Sequence, residues 1–258
     1  MFNNQTILVT GASMGIGESV ARELARRGAD LILAARSEEL LKQISESLPC
    51  PHPARYFRCD FSDPAAVAAL GEKILATGKL DGIVHNAGVG MYGEFGKLSD
   101  VEVRRLFEIN FFSILSLTRS LLPLLQKSPR ARILTVSSVI GWRAIPRLSA
   151  YCASKGAINL FVEALRVELA AHGISLTNAY PGRTATGFSQ NAMSVGWKPF
   201  STEGGGTPPD KVARRLVRAF HKGKRDEFVS FSNRALIWLN FFFPWFIDWG
   251  LGRYFRNR

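Results

Sequence analysis

Several things are scarce in this sequence, and each scarcity excludes something. Cys50, Cys59 and Cys152 are its only cysteines, an odd number with no metal-ligand spacing. That excludes a disulfide-stapled fold, gives no metal site and predicts free, partly buried thiols. The first strand-like run begins a few residues after Met1, without a charged n-region, an apolar core and a cleavage site. A secretory signal is therefore not expected, and the expected compartment is a reducing cytoplasm. No apolar run reaches the ~20 residues of a transmembrane helix; the nearest, 235–249, is interrupted by Asn240, Pro244 and Asp248. No Pro/Gly/Ser-rich linker and no internal repeat divides the 258 residues. One domain is expected over 1–232, with 233–258 as an apolar extension. Acidic residues are few, 21 against 33 Lys and Arg, for a formal net charge of +12. The surplus suits an anionic partner, yet no nucleic-acid module is visible, so no nucleic-acid partner is expected.

What is present alternates. Strand-like runs near 5–10, 30–36, 55–60, 81–86, 131–137, 175–180 and 227–231 are separated by helical stretches. This pattern predicts an α/β fold with a doubly wound parallel sheet. The first run, Thr6 to Thr10, breaks into Gly11-Ala12-Ser13-Met14-Gly15-Ile16-Gly17 before a helical pattern from Glu18 to Arg27. Glycines there let the backbone approach a pyrophosphate, which the N–H groups and positive dipole of the helix start would hold. The spacing is G-x-x-x-G-x-G rather than G-x-G-x-x-G, so the loop alone reads equally as an ordinary strand-to-helix turn. Two further runs end in polar residues, one in Asn86-Ala87-Gly88 and one in Ser137-Ser138. Open α/β sheets bind ligands beyond the carboxyl ends of their strands, so both ends should face one cleft.

Tyr151 and Lys155 stand one helical turn apart on the same face. An ordinary phenol has a pKa of about 10, and a neighbouring ammonium is expected to lower it toward the working range. Ser138 precedes Tyr151 by thirteen residues, which leaves room for a loop and lets both hydroxyls reach one substrate oxygen.

Together these segments resemble the short-chain dehydrogenase/reductase family across nearly the whole chain. The matching residues are the loop Thr10 to Gly17, Asn86-Ala87-Gly88, Asn110 in a helix expected over 103–125, Ser138, Tyr151 with Lys155, and Pro181-Gly182 followed by Thr184 and Thr186. The resemblance implies a Rossmann fold and an oxidoreductase that interconverts a carbonyl and an alcohol. Tyr151 would protonate the oxygen as hydride arrives, with Ser138 donating a hydrogen bond. Lys155 would also hold the nicotinamide ribose, and Asn110 would fix a water linking Lys155 to solvent. Gly11, Ser13, Met14, Gly15, Ile16 and Gly17 would cradle the dinucleotide, with Asn86, Ala87 and Gly88 beside it, and Pro181, Gly182, Thr184 and Thr186 on the nicotinamide side. Asp60 and Phe61 match the adenine contact, although Asp60 to Asp63 also reads as the cap of the next helix. A homodimer or homotetramer is expected. The competing readings are a non-catalytic dinucleotide-binding regulator and a membrane-surface scaffold.

The second strand ends in Ala35-Arg36, where an NAD-binding unit would place a carboxylate. A guanidinium pairs with a 2′-phosphate, so NADP(H) is the expected cofactor. The alternative partners for Arg36 are Glu38 and Glu39, and Met14 stands where many NADP-dependent relatives carry a second basic residue. Gly187 to Pro209 reads as a lid. With its Phe188, Met193, Trp197 and Phe200, and with Met91, Tyr92 and Trp142, it predicts a lipophilic carbonyl or alcohol as substrate. Cys152, beside Tyr151, has a lesser reading as a reactive thiol. The aromatic stretch 235–249, bordered by Arg234 and Arg253, fits a peripheral membrane contact, burial against the pocket, or a subunit interface.

Overall fold

The computed structural model describes residues 1–196 and 205–256. Its strands are β1 (Thr6–Thr10), β2 (Asp30–Ala35), β3 (Arg55–Arg58), β4 (Gly82–His85), β5 (Met91–Gly93), β6 (Arg132–Val136), β7 (Ser175–Tyr180), β8 (Met193–Val195) and β9 (Asp226–Phe228). Its helices are α1 (Gly15–Arg26), α2 (Glu38–Ser47), α3 (Pro64–Leu75), α4 (Asp100–Phe107), α5 (Ser113–Leu125), α6 (Ser149–Ala170), α7 (Pro209–His221), α8 (Phe231–Phe242) and α9 (Pro244–Arg256). Seven strands form one parallel sheet in the order β3-β2-β1-β4-β6-β7-β9, while β5 and β8 pair separately. The chain winds outward from β1 to β3, then returns past β1 to start the other half at β4. That reversal makes the crevice at the ends of β1 and β4 the topological switch point.

Helices cover both faces, which explains why the strands read as continuous apolar runs rather than as alternation. Successive side chains point to opposite faces. Ile7, Val9 and Leu33 meet Val20 and Leu24 of α1 and Leu216 and Phe220 of α7. Leu8, Ile32 and Ile83 meet Leu70 of α3, Leu121 of α5 and Val162 of α6. Each such buried side chain contributes about 1.5–3 kcal/mol relative to exposure.

The structure differs from the sequence expectation at three places. The last strand is Asp226–Phe228 rather than 227–231, because Ser230 caps α8 by accepting from Asn233 N at 3.2 Å. The helix expected over 103–125 is interrupted by a π-helical turn, Glu108–Phe112, between α4 and α5. The three-residue β5 and β8 are too short to show a period. Cys59 and Cys152 are buried thiols and Cys50 is half-buried.

Candidate active site

The glycine loop is shaped for close approach. No side chain caps α1, since Met14 occupies that position, so first-turn N–H groups remain for an anion. Gly11 has φ +64°, and a Cβ on it would stand 2.8 Å from Ala87 Cα. A Cβ on Gly17 would overlap the Gly11 carbonyl oxygen and Asn86 Nδ2. Asn86 Nδ2 donates to the carbonyls of Thr10 and Gly11, both at 3.1 Å. The N–H groups of Asn86 and Ala87 donate to Thr10 Oγ1 at 3.0 and 3.1 Å. The end of β4 is thereby lashed to the loop, and the Asn86 amide N–H groups serve the loop itself.

A cleft of about 950 Å³ runs from this loop along the strand ends. Its walls include all the residues expected at the dinucleotide except Gly17, whose place is in the packing of the loop. Arg36 faces the cleft and makes no ion pair with Glu38 or Glu39 among the described residues. Asp60 accepts from the Ser62 N–H at 2.9 Å and from its hydroxyl at 2.7 Å. Burial opposes ionisation of Asp60, but these bonds, with Arg105 and Arg36 nearby, hold its pKa below the ordinary carboxylate value. The cap of α3 is Asp63, which accepts from Ala65 N at 2.9 Å. Asp60 therefore remains on the cleft wall.

Tyr151, Lys155 and Ser138 converge on the cleft. Lys155 is buried, donates from Nζ to the Val136 carbonyl at 3.0 Å, and lies 5.9 Å from the centre of the Tyr151 ring. Burial lowers its pKa to about 8. The Tyr151 phenol does not move down as expected. Burial pushes it up, with Tyr92 and Cys152 adding to the effect. The cost of placing a phenolate in a buried site outweighs a cation that burial itself disfavours.

Of the two serines, Ser137 donates to Asn159 Oδ1 at 2.6 Å and toward the Lys155 carbonyl at 3.3 Å. Among the described residues Ser138 makes only long bonds, to the Pro181 carbonyl at 3.5 Å and from Ile140 N at 3.4 Å. Its hydroxyl is the one free to turn.

Asn110 sits on the π-helical turn, fully buried and off the cleft wall. Its Oδ1 accepts from Val89 N at 2.9 Å, and its Nδ2 donates to Val89 O and Ser154 Oγ, both at 3.0 Å. A water held by this side chain would have only the second lone pair of Oδ1 to use. The π-turn, which no periodicity announces, aims Asn110 between the β4 end and α6.

The far half of the cleft is apolar. Tyr92, Phe188 and Met193 line it as expected. Met91 and Trp142 do not: Met91 is buried in the core beneath, and Trp142 packs on Tyr180 with ring centres 5.9 Å apart. Trp197 and Phe200 lie outside the described residues. Cys152 is buried away from the cleft and burial raises its thiol pKa, which removes the reactive-thiol reading. Arg105 and Ile109 also line the cleft, as do Leu251, Tyr254 and Phe255 from the last helix. The spacing of the last three, i, i+3 and i+4, marks one helical face and was the available signal.

A short chain dehydrogenase family model matches residues 5–195. A dehydrogenase/reductase SDR family protein 7-like from Anopheles gambiae is 32% identical over 261 residues, covering 96% of this chain and 82% of the relative. A short-chain dehydrogenase from Sphingobium yanoikuyae, solved in complex with NADPH, is 25% identical with a TM-score of 0.81 over 88% of each chain. One from Burkholderia phymatum, solved in complex with NAD, shares the fold at 24% identity and a TM-score of 0.83 over 93% of each chain.

Proposed function

The chain belongs to the short-chain dehydrogenase/reductase family, and from that premise we propose that it interconverts a carbonyl and an alcohol on a lipophilic small molecule, with NADP(H) as cofactor. The observation that carries this reading is the convergence of Tyr151, Lys155 and Ser138 on one cleft whose other end holds an uncapped helix start and Arg36, which makes no salt bridge among the described residues. The glycine loop packs so closely on Asn86 and Ala87 that Cβ atoms on Gly11 and Gly17 would clash there, and the backbone it brings to the cleft wall fits a dinucleotide. When bound, the nicotinamide supplies or accepts the hydride.

The protein's part is position and proton control. The loop N–H groups and the start of α1 would hold the pyrophosphate, Arg36 would pair with the 2′-phosphate, and Asp60 and Phe61 would border the adenine. Tyr151, kept protonated by burial, gives its proton to the carbonyl oxygen in reduction. Ser138 donates a hydrogen bond to the same oxygen. Lys155, charged below about pH 8, stabilises the phenolate as it forms. Asn110 is a positioning residue: it bonds Val89 and Ser154, and Ser154 donates to the Tyr151 carbonyl at 2.8 Å, which fixes α6 against the β4 end.

A panel of apolar aldehydes and ketones with NADPH, followed by nucleotide absorbance, tests the reading. Turnover of apolar members is expected; NADPH binding without turnover of any carbonyl would favour the regulator instead. Replacing Arg36 with Asp exchanges a cation for a repelling charge, and the NADPH preference is expected to fall by about 10–100-fold, as the loss of a charge-assisted bond implies. Unchanged preference would contradict the assignment. Ser138→Ala should reduce kcat by about 10²-fold, while Ser137→Ala should cost about 1 kcal/mol of stability and leave kcat near wild type. Paired kinetics and thermal melts would show the reverse if the roles were exchanged.

A further inference from the structure

We propose that α8 and α9 dock this protein on an anionic lipid surface, with α9 as the wall between that surface and the substrate cleft. The second half of the proposal rests on reading the cleft as a substrate site; the first does not. Neither helix contains a buried residue, yet together they carry three of the five tryptophans in the chain, Trp238, Trp245 and Trp249. Trp245 is 68% exposed and Trp249 58%. A contiguous aromatic surface of this kind, left uncovered, marks a contact site.

The two sides of α9 differ. Leu251, Tyr254 and Phe255 line the cleft. On the opposite side Trp245 and Trp249 are one turn apart, and Phe246 stacks on Trp249 with ring centres 6.1 Å apart. Helical periodicity places Arg253 and Arg256 on that same outer side. The guanidinium of Arg253 lies 6.0 Å from the centre of the Trp249 ring.

Charge selects the occupant. Between 231 and 256 the sequence has one carboxylate, Asp248. Arg143 donates to it at 2.6 Å and to Asn240 Oδ1 at 3.0 Å, which ties both helices to the turn that follows Ser138. Arg234, Arg253 and Arg256 have no carboxylate partner among the described residues. Two copies meeting through this face would oppose cation to cation. Anionic headgroups would pair with the arginines while the indole rings enter the interface. The helices lie on the surface rather than span it. At 12 and 13 residues they are short, and no helix among the described residues is long and apolar enough to cross a membrane.

The experiment uses the full chain, a variant carrying Trp245→Ser, Phe246→Ser and Trp249→Ser, and a second variant carrying Arg253→Glu and Arg256→Glu. Each is sedimented with phosphatidylcholine vesicles, with and without phosphatidylserine. Tryptophan quenching by acyl-brominated lipid is read in parallel, with NADPH binding as the check on folding. The full chain is expected to prefer the anionic vesicles by about 100-fold, as three surface arginines at about 1 kcal/mol each imply, and to be quenched. Both variants should bind NADPH normally and lose most of the vesicle binding. Equal sedimentation of all three proteins overturns the proposal. So does a lipid-independent dimer of the full chain that the aromatic variant converts to monomer. Failure of every form to bind NADPH, with far-UV circular dichroism unchanged among the three, would sink the NADP(H) assignment and leave the lipid result standing.

Discussion

Tyr151→Phe is expected to bind NADPH as the wild type does and to lose turnover by about 10²–10⁴-fold, the usual contribution of a positioned acid. The substitution removes one oxygen and keeps the ring, which packs 5.8 Å from Phe188, so the apolar wall survives. Because burial raises the phenol pKa, Tyr151 holds its proton through neutral pH. Reduction should therefore show no loss of rate on the acid side attributable to this group. The fall should come on the alkaline side near pH 8, as Lys155 loses the charge that supports the nascent phenolate. A rate profile flat through pH 10, or a Phe variant with full turnover, would assign the proton elsewhere.

Lys155→Met is expected to reduce turnover by roughly 10³-fold and at the same time to raise stability. The folded pKa of about 8 lies below the ordinary 10.5 because burial disfavours the charged form. Between those values the native state binds fewer protons than the unfolded chain, so stability rises with pH across that window. The cost is fully in force below pH 8. Lowering a pKa by one corresponds to about 1.4 kcal/mol, and the variant also loses the bond to the Val136 carbonyl, worth about 1 kcal/mol. The net gain at pH 7 is on the order of 2 kcal/mol, or roughly 5 °C in Tm for a chain of this size. It should shrink as pH rises from about 8 toward 10.5. Thermal melts across pH check this; a variant less stable than wild type at pH 7 would show that the ammonium is not held at a cost.

Much of this molecule is legible in the order of its residues, and the parts that are not share a physical cause. β1 and β2 announce themselves because both sheet faces are covered, and Gly11 and Gly17 do so because a loop that packs on Ala87 and Asn86 cannot carry side chains at those two positions. Tyr151 and Lys155 are one turn apart whatever surrounds them. Burial, in contrast, is a property of the assembled fold. The direction in which the Tyr151 pKa moves, the withdrawal of Ser137 into a bond with Asn159, and the retreat of Met91 and Trp142 from the cleft all depend on elements distant in sequence. The Asn110 environment depends on a π-turn that breaks the 3.6-residue period. Leu251, Tyr254 and Phe255 carried a helical signature, but nothing local says that their face meets the cleft formed some hundred residues earlier.

The most direct test of carbonyl reduction in this cleft is isotopic. NADPH deuterated at both positions of the reactive nicotinamide carbon is incubated with an apolar ketone from the panel, and the alcohol is analysed by mass spectrometry. Deuterium on the carbinol carbon is expected with the wild-type chain, with formation of that product nearly abolished in Tyr151→Phe. Alcohol without the label, or no alcohol from any panel member while NADPH is bound, would contradict hydride transfer at this site.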